Sequence, residues 1–329
     1  MPEPPVMAEL WRGDFLESTH RGHAVIVEAG GDVVEAWGSP AVSIFPRSAM
    51  KPLQALPLVE SGAAERAGLG PRHVALACAS HTGAARHSQL VADWLASLDL
   101  GEEHLACGPQ TPRDKDERQR LRDAGKAPGQ CHHNCSGKHS GFLTVAKEYG
   151  EVGDYLSPEA AGQRAARDAI EEMTSEASPG FGIDGCSAPS FVVSLEGFAR
   201  GLARMGRPPE GRRGQAAETI VAAMQSHPDL VSGPGHPAEA MMRRATGGTV
   251  IKSGAEGVYG AILPDRGLGI ALKISDGAGR ASLVAIAALL VRIGALDPND
   301  PAIGAILRPV EPNAAGLAAA HLQPGPAFT

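Results

Sequence analysis

A chain of 329 residues, 43% of them hydrophobic, can bury a large core, so an ordinary folded globular protein is expected. Its 30 Lys and Arg against 37 Asp and Glu give a net charge of -7 without a basic stripe, which argues against nucleic acid or an anionic membrane as partner. The N-terminus lacks the regions of a secretory signal, and the longest apolar run, residues 283–291, is far below the roughly 20 residues that span a bilayer. We therefore predict a soluble, cytoplasmic protein, whose five cysteines favour packing, metal-binding or active-site thiols over disulfides.

Predicted strands lie near both ends of the chain. Residues 23–29 and 32–37 are β-branched runs separated by two glycines, the pattern of a two-residue hairpin, and residues 41–45 can add a third strand. Alternating apolar and polar residues return near the C-terminus, in the segments 248–254, 257–263 and 268–275.

The predicted helices lie mainly between these groups of strands. Helical patterns cover the segments 48–61, 86–98, 158–173, 191–205, 211–226, 237–246 and 278–293, whereas periodicity does not decide between strand and helix for 73–80. Strands at both ends predict an α+β fold, with one largely antiparallel sheet assembled from the two termini and packed with helices. We expect a single catalytic domain spanning residues 1–329, with a Pro- and Ala-rich tail, 308–329, that frays.

Ser48-Ala-Met-Lys51 is the first element with catalytic potential. If Ser48 opens a helix, Lys51 lies one turn later on the same face, within reach of the hydroxyl. A serine becomes a strong nucleophile when a base takes its proton, and burial or neighbouring cations can lower the pKa of a lysine enough for that task. Alone, however, Ser-x-x-Lys arises by chance in most proteins of this size.

Two further short elements supply partners for this pair. Ser80, in Cys78-Ala-Ser80-His81, can relay protons, and Lys252 begins a Lys-Ser-Gly element at a late predicted strand. Ser-x-x-Lys at a strand-to-helix transition combined with a late Lys-Ser-Gly is the placement found in penicillin-recognising serine hydrolases. The Ser-x-Asn element of those enzymes is missing, since His81 and Thr82 follow Ser80, so a β-lactam substrate is disfavoured.

The stretch CHHNCSGKH, residues 131–139, raises the question of a zinc site. Its two cysteines and three histidines lack a second pair at ordinary finger spacing, which disfavours a structural zinc finger. Another cysteine, Cys186, lies two residues after Asp184 in a Gly- and Pro-rich loop.

Five elements in order resemble the thermolabile, rhizobial-type L-asparaginase II family: FPRSAMKP, SHTG, CSGKHSG, DGCSAPS and KSGAEGV, beginning at Phe45, Ser80, Cys135, Asp184 and Lys252. The resemblance runs from about Arg21 to the last helix. It implies a serine β-lactamase-like fold, L-asparaginase (amidohydrolase) activity on L-asparagine, and a homodimer.

The resemblance also implies roles for individual residues. Ser48 would be the nucleophile and Lys51 its base, with Ser80 and Lys252 as a second Ser-Lys pair. Cys135, Lys138 and Cys186 would hold a zinc ion, an unusual set because a lysine ligand must be deprotonated. Arg47, His139 and Asp184 would line the substrate pocket, where an arginine can bind the α-carboxylate and an aspartate the α-ammonium.

Alternatives remain for both the function and several residues. The function alternatives are a penicillin-interactive serine hydrolase and a zinc-stabilised, non-enzymatic binding protein. His132 and His133 are expected to be polar loop residues or outer partners of the site, Cys78 and Cys107 core residues, and Cys131 either.

Overall fold

The computed structural model describes residues 3–328. Within them the chain forms two compact units, each assembled from separate segments: the first comprises residues 3–49, 193–207 and 240–328, and the second comprises 50–192 and 208–239. The prediction of a single catalytic domain stays a prediction. Across the described residues, the helices are all too short or too polar to traverse a lipid bilayer.

Most strands lie toward the two ends of the chain, as predicted, and three short strands, within residues 181–194, lie between them. The strands are β1 (Val6–Arg12), β2 (Phe15–Glu28), β3 (Val33–Trp37), β4 (Ser43–Ile44), β5 (Phe181–Ile183), β6 (Pro189–Phe191), β7 (Val193–Ser194), β8 (Val250–Ser253), β9 (Val258–Leu263), β10 (Leu268–Ile274), β11 (Val310–Pro312) and β12 (Ala318–Pro324).

The helices occupy mainly the middle of the chain. They are α1 (Lys51–Gln54), α2 (Leu56–Glu60), α3 (Ala63–Arg66), α4 (Pro71–Ala77), α5 (Ala85–Ser97), α6 (Lys115–Asp123), α7 (Ser136–Tyr149), α8 (Ala161–Thr174), α9 (Leu195–Gly206), α10 (Arg212–Ser226), α11 (Pro228–Val231), α12 (Pro237–Arg244), α13 (Gly279–Arg292) and α14 (Pro301–Leu307).

The first unit contains an antiparallel sheet with the order β11-β12-β1-β2-β10-β9-β8, in which β3 also pairs with β2. The long strand β2 joins the two ends of the chain, because it pairs with β1 on one side and with β10 on the other, where His23 lies opposite Lys273. The prediction of an α+β fold, with a sheet built from N- and C-terminal strands, is confirmed.

Helices α9 and α13 pack against this sheet within the first unit. Helix α9 lies very close to strands β9 and β10, since a Cβ added at Gly269 would lie 2.0 Å from the Ala199 carbonyl oxygen, and one at Gly260 would lie 2.5 Å from Leu202 Cδ1. Strand β9 is buried at every position. Its continuous apolar sequence therefore fits a strand that is covered on both faces.

Three local predictions are corrected by the structure. The expected third strand, 41–45, shortens to β4 and pairs with β7 rather than joining the large sheet, whose third strand is β3. The helix expected from residue 191 begins at Leu195, because Ser194 caps its first turn by accepting a hydrogen bond from the Gly197 amide at 2.8 Å. The tail expected to fray instead contains β11 and β12, and β12 pairs with β1, so that Leu322 lies opposite Leu10 and is buried.

The second unit is mostly helical, and α7 is its central element. Residues 136–146 of α7 are all buried, and the helix packs against α4, α5 and α8. Its contact with α4 depends on Gly137, where an added Cβ would lie 2.2 Å from the Leu76 carbonyl oxygen. The segment 73–80, left undecided by periodicity, falls mainly in α4. Close packing of α7 on α4 therefore fixes the start of α7, where Lys138 lies.

Candidate active site

Ser48 lies at a change of backbone direction between β4 and α1. A 3-10 turn, Arg47–Met50, leads without interruption into α1, so Lys51 follows one turn after Ser48 as the spacing predicts. Arg47 has φ of 53°, a left-handed conformation that is uncommon for a residue with a side chain. The half-buried Ser48 therefore follows a strained residue, a feature that clusters at functional sites.

Lys51 and Ser80 meet in the second unit. The Lys51 side chain is 1% exposed, and its Nζ donates hydrogen bonds to Ser80 Oγ at 3.1 Å and to the Ala79 carbonyl oxygen. The Ser80 amide in turn donates to the Val231 carbonyl oxygen at 2.9 Å, which fixes the backbone that presents the hydroxyl. A buried amine with two fixed acceptors has a defined position from which to exchange a proton.

In the first unit, the Lys-Ser-Gly element lies against the turn that carries Ser48. A Cβ added at Gly254 would lie 2.5 Å from the Pro46 carbonyl oxygen and 3.3 Å from the Ala49 Cβ. Lys252 is buried at the end of β8, with Nζ donating to the Ser253 carbonyl oxygen at 2.7 Å. The late strand and the Ser48 turn are thus neighbours. The pairing of Ser80 with Lys252 joins residues of different units and stays a prediction.

Cys135, Lys138 and Cys186 converge in the second unit. Cys135 directly precedes α7 and Lys138 lies in the first turn of that helix, where Nζ donates to Cys186 Sγ at 3.0 Å. Cys186 lies in a tight turn after β5, in which Asp184 N donates to the Ala188 carbonyl oxygen at 2.9 Å. All three side chains are at most 4% exposed. Folding therefore places Cys135 and Lys138 next to Cys186, although they are distant from it in sequence.

The two thiols share a proton unequally. A hydrogen bond from Cys186 is the main reason that the pKa of Cys135 lies well below its usual range, and the charge of Lys51 adds to this effect against the opposing effect of burial. The same hydrogen bond, with burial, raises the pKa of Cys186, which keeps its proton. Burial alone would lower the pKa of Lys138, but Cys186 and Cys135 together raise it. The cluster therefore pairs a thiolate with an ammonium.

The donor set of this cluster fits a zinc ion. Thiolate sulfur and neutral nitrogen are ligands that zinc accepts in tetrahedral sites, and these residues are buried and mutually in contact. Among residues 3–328, no three His, Cys, Asp or Glu side chains are grouped to hold a metal. The Lys138 amine would therefore have to serve as the third protein ligand, after losing its proton.

Asp184 and His139 also belong to the second unit and flank this cluster. The half-buried Asp184 is close enough to raise the pKa of Lys138, and its Oδ1 accepts a hydrogen bond from Gly185 N at 2.7 Å. His139 is 0% exposed, and its Nδ1 lies 2.7 Å from the Tyr155 hydroxyl. Burial, followed by the charge of Lys138, lowers the pKa of His139 well below its usual range, so this imidazole is neutral. Arg47 belongs to the first unit, next to Ser48.

The remaining cysteines and histidines have structural contacts. His132 Nδ1 accepts a hydrogen bond from Gly129 N at 3.0 Å and its Nε2 lies 3.1 Å from Glu117 Oε1, whereas His133 Nδ1 accepts one from Cys135 N at 3.0 Å. Both histidines therefore shape the loop before α7. Burial raises the pKa of both Cys131 and Cys107 to about 12, which makes them poor nucleophiles. Cys78 is fully buried as a core residue.

Two further residues contact the site: His81, which the sequence showed only as part of the element that carries Ser80, and Tyr155, which carried no signal in the sequence. His81 Nδ1 accepts a hydrogen bond from Gly83 N at 3.1 Å, and its Nε2 lies 3.0 Å from Ser136 Oγ, which links the Ser80 loop to the start of α7. Tyr155 contacts His139 from a loop after α7. The proximity of Tyr155 to the site depends on tertiary packing, which spacing along the chain does not report.

Several solved structures are similar to this chain at low sequence identity. A β-lactamase from Mycobacterium bovis is 14% identical with a TM-score of 0.43, over 82% of this chain and 94% of that one. A penicillin-binding protein homologue from Pyrococcus abyssi, an octamer, is 15% identical with a TM-score of 0.43, over 85% and 75% of the two chains. The protein Mglu in its glutamate form is 13% identical with a TM-score of 0.47, over 90% and 66%.

The comparison of the sequence with protein families extends across almost the whole chain. None of the curated proteins compared with the chain matches it. The profile of the family described as L-asparaginase II matches residues 8–324, a range that contains every candidate site residue. The chain therefore belongs to the L-asparaginase II family, as its five sequence elements predicted, and is an asparaginase-type hydrolase.

Proposed function

We propose that this protein is an L-asparagine amidohydrolase, which converts L-asparagine and water to L-aspartate and ammonia. The observation that carries the proposal is the buried Lys51 amine, which donates to Ser80 Oγ at 3.1 Å one turn after Ser48. Family membership supports amide hydrolysis. A positioned hydroxyl followed by a buried amine is an arrangement that activates a serine for nucleophilic catalysis.

In the first half-reaction, Ser48 Oγ attacks the side-chain carbonyl carbon of asparagine while the Lys51 amine, in the deprotonated form that this step requires, takes the hydroxyl proton. Backbone N–H groups of the turn Arg47–Met50 stabilise the negative charge on the carbonyl oxygen. The C–N bond then breaks as Lys51 passes the proton it took from Ser48 through the Ser80 hydroxyl to the nitrogen, so that ammonia leaves and Lys51 is again a free base. Lys252 supports this relay as the second amine of the site.

In the second half-reaction, water attacks the β-aspartyl ester on Ser48. The Lys51 amine accepts a proton from the attacking water. As the ester C–O bond breaks, this proton returns to the Ser48 oxygen through the side chains of Lys51 and Ser80. L-Aspartate leaves, and the enzyme returns to its starting protonation state. Dividing the hydrolysis into two steps replaces one difficult attack of water on an amide by two easier reactions.

Substrate recognition is assigned to three polar side chains. Arg47 binds the α-carboxylate through its guanidinium group, and Asp184 pairs with the α-ammonium group. His139 lines the pocket beside Lys138. These assignments are supported by the family and, for Asp184 and His139, by their position next to the thiol cluster.

Cys135, Lys138 and Cys186 would hold a zinc ion in this proposal, with water as a further ligand. A bound zinc ion supplies positive charge beside the substrate and favours the neutral form of the lysine amine. Two observations support this assignment. The three side chains are at most 4% exposed, and Lys138 Nζ lies 3.0 Å from Cys186 Sγ.

The protein is also proposed to act in the cytoplasm as a homodimer, with neither nucleic acid nor a membrane as partner. The five cysteines all lie in the described part of the chain, where they are buried and form no disulfide, as expected in a reducing compartment. The net charge of -7 supports the exclusion of polyanions.

Ammonia release from L-asparagine tests the proposal. Ser48→Ala should lower the rate by orders of magnitude, because the nucleophile is lost, whereas Ser226→Ala, which removes an exposed helical hydroxyl, should retain wild-type activity. Near-wild-type activity in Ser48→Ala would reject the mechanism. A stable fluorescent-penicillin adduct on Ser48, with no ammonia from asparagine, would instead support the penicillin-interactive alternative.

A further inference from the structure

The Nε2 atom of His139 is a buried polar atom that no neighbouring side chain satisfies. The residue is 0% exposed, and across residues 3–328 this nitrogen has no hydrogen-bond partner. An unsatisfied buried polar group costs free energy, so its retention calls for an explanation such as a ligand. His139 directly follows Lys138 on α7, and the proposed function assigns it to the substrate pocket.

Tyr155 determines which ring nitrogen of His139 carries the proton. The Tyr155 hydroxyl oxygen accepts a hydrogen bond from the Ala106 amide at 2.8 Å, and a backbone amide can only donate. Its own proton is then available for His139 Nδ1, which lies 2.7 Å away. Burial raises the pKa of Tyr155, so the phenol keeps this proton. Nδ1 thus acts as acceptor, and in a neutral imidazole the proton resides on Nε2.

We propose that Tyr155 is a positioning residue that holds His139 as the Nε2–H tautomer, so that His139 presents a hydrogen-bond donor to a carboxylate oxygen of the substrate. The substrate part of this inference rests on the proposed function, whereas the tautomer does not. A donor at this place cannot pair with the ammonium or amide NH2 group of asparagine, because both of those groups only donate. This role for His139 is compatible with the assignment of the ammonium group to Asp184 in the proposed function.

The same tautomer excludes His139 from the zinc site. A metal ligand needs the lone pair of a ring nitrogen, but the Nδ1 lone pair is used by Tyr155 and the Nε2 position carries a proton. His139 is therefore a substrate-binding group beside the cluster of Cys135, Lys138 and Cys186 rather than a fourth protein ligand. Changing His139 should leave the metal content of the protein unchanged.

The tautomer can be measured directly by long-range 1H–15N correlation spectra of protein with 15N-labelled histidine rings, in which His139→Gln identifies the His139 signals. We expect the Nε2–H pattern in the wild type, and in Tyr155→Phe a mixture in which Nδ1–H contributes. Tyr149→Phe, which changes an exposed tyrosine, should leave the pattern unchanged. An Nδ1–H pattern or an imidazolium in the wild type would overturn the inference.

The KM for asparagine of two His139 variants of similar size tests whether Nε2–H donates a hydrogen bond to the substrate. His139→Gln places an amide NH2 near the position of Nε2 and should keep the KM for asparagine within about threefold, whereas His139→Met has no donor and should raise it about tenfold or more. Equal impairment of both variants, or loss of zinc from either, would overturn the inference. A wild type that retains the Nε2–H pattern but releases no ammonia would instead reject the proposed function alone.

Discussion

Lys51 Nζ lies 3.1 Å from Ser80 Oγ. Lys51 is only 1% exposed, so this contact is buried on the lysine side. The two residues come from separate elements, the start of α1 and the loop after α4, so the contact is made by folding rather than by sequence proximity. The positive charge of Lys51 also lowers the pKa of Cys135. The Ser-Lys pair and the thiol cluster are therefore electrostatic neighbours within the second unit.

Lys51→Met should abolish most of the activity. The methionine fills a similar volume without an amine, so the hydroxyl of Ser48 loses its base, and we expect kcat to fall by about 100-fold to 10,000-fold. Lys147→Met, which removes a partly exposed lysine from α7, should change kcat by less than about twofold. Steady-state ammonia release measures both. An unchanged kcat in Lys51→Met would remove this lysine from the mechanism.

Gly137→Ala should be more damaging than Gly141→Ala, although both glycines lie on α7. A Cβ at Gly137 would lie 2.2 Å from the Leu76 carbonyl oxygen, whereas at Gly141 the nearest atom, Leu58 Cδ2, would be 3.4 Å away. We expect Gly137→Ala to lower the free energy of unfolding by about 1–3 kcal/mol, and Gly141→Ala to change it by less than about 1 kcal/mol. Denaturant unfolding measures both values.

The catalytic activities of Gly137→Ala and Gly141→Ala should also differ. The contact of Gly137 with α4 positions Lys138, the next residue, so the activity of Gly137→Ala should fall further than its stability alone explains. Equal stability of the two variants would show that α7 can move away from α4 at little cost, and that this contact does not fix the cluster.

The sequence predicted the segments whose patterns are strong and local. Residues 257–263 and 268–275 alternate or are continuously apolar, and both form strands at nearly the predicted bounds, β9 and β10. Strand β1 was missed because its pairing with β12 spans the whole chain, and strand register at such separation is set by tertiary packing. Residues 43–44 failed to join the large sheet for the same reason, since β7 is the partner they meet in the fold.

In the candidate site, too, local spacing predicted some features, whereas others depend on tertiary packing. Lys51 follows Ser48 by one helical turn, which spacing alone predicts. Cys135, Lys138 and Cys186, which the resemblance to a family implies as one set, lie near one another in the fold, and their role as zinc ligands stays a prediction. Tyr155 could not be found this way, because its loop reaches His139 through the packing around α7. A lone tyrosine in a loop has no periodicity or partner spacing from which a role could be inferred.

His87 should make the protein less stable in mild acid. Its ring is 0% exposed, Nε2 donates to the Asp229 carbonyl oxygen at 3.1 Å, Nδ1 has no partner among the described residues, and the ring stacks on His81 at 4.7 Å. Burial lowers the pKa of His87 below its ordinary value of 6.5. The unfolded chain therefore takes up a proton before the folded protein does, so stability is lost as the pH falls below 6.5 toward the lower folded-state pKa.

The expected loss is at most about 1.4 kcal/mol per pH unit for this histidine. His87→Gln should reduce the slope of unfolding free energy against pH below 6.5. Urea unfolding at a series of pH values measures the slope. Identical slopes in the wild type and His87→Gln would contradict a neutral, buried His87.

Cys186→Ser should reduce the zinc content of the purified protein. A serine oxygen is a weaker zinc ligand than a thiolate sulfur, and Cys186 is in contact with Lys138, a second proposed ligand. Cys107→Ser changes another buried thiol and should retain zinc. Elemental analysis by mass spectrometry after dialysis measures the metal. Equal zinc in both variants, or none in the wild type, would contradict the proposed site.

The central claim is that Ser48 forms a covalent ester with the acyl group of asparagine. Rapid acid quenching of the enzyme during turnover, followed by mass spectrometry of the intact chain and of its peptides, tests this claim most directly. We predict a mass increase of one aspartyl group on the peptide that contains Ser48, and its absence in Ser48→Ala. An aspartyl group on another residue, or turnover with no covalent species at any quench time, would contradict the account.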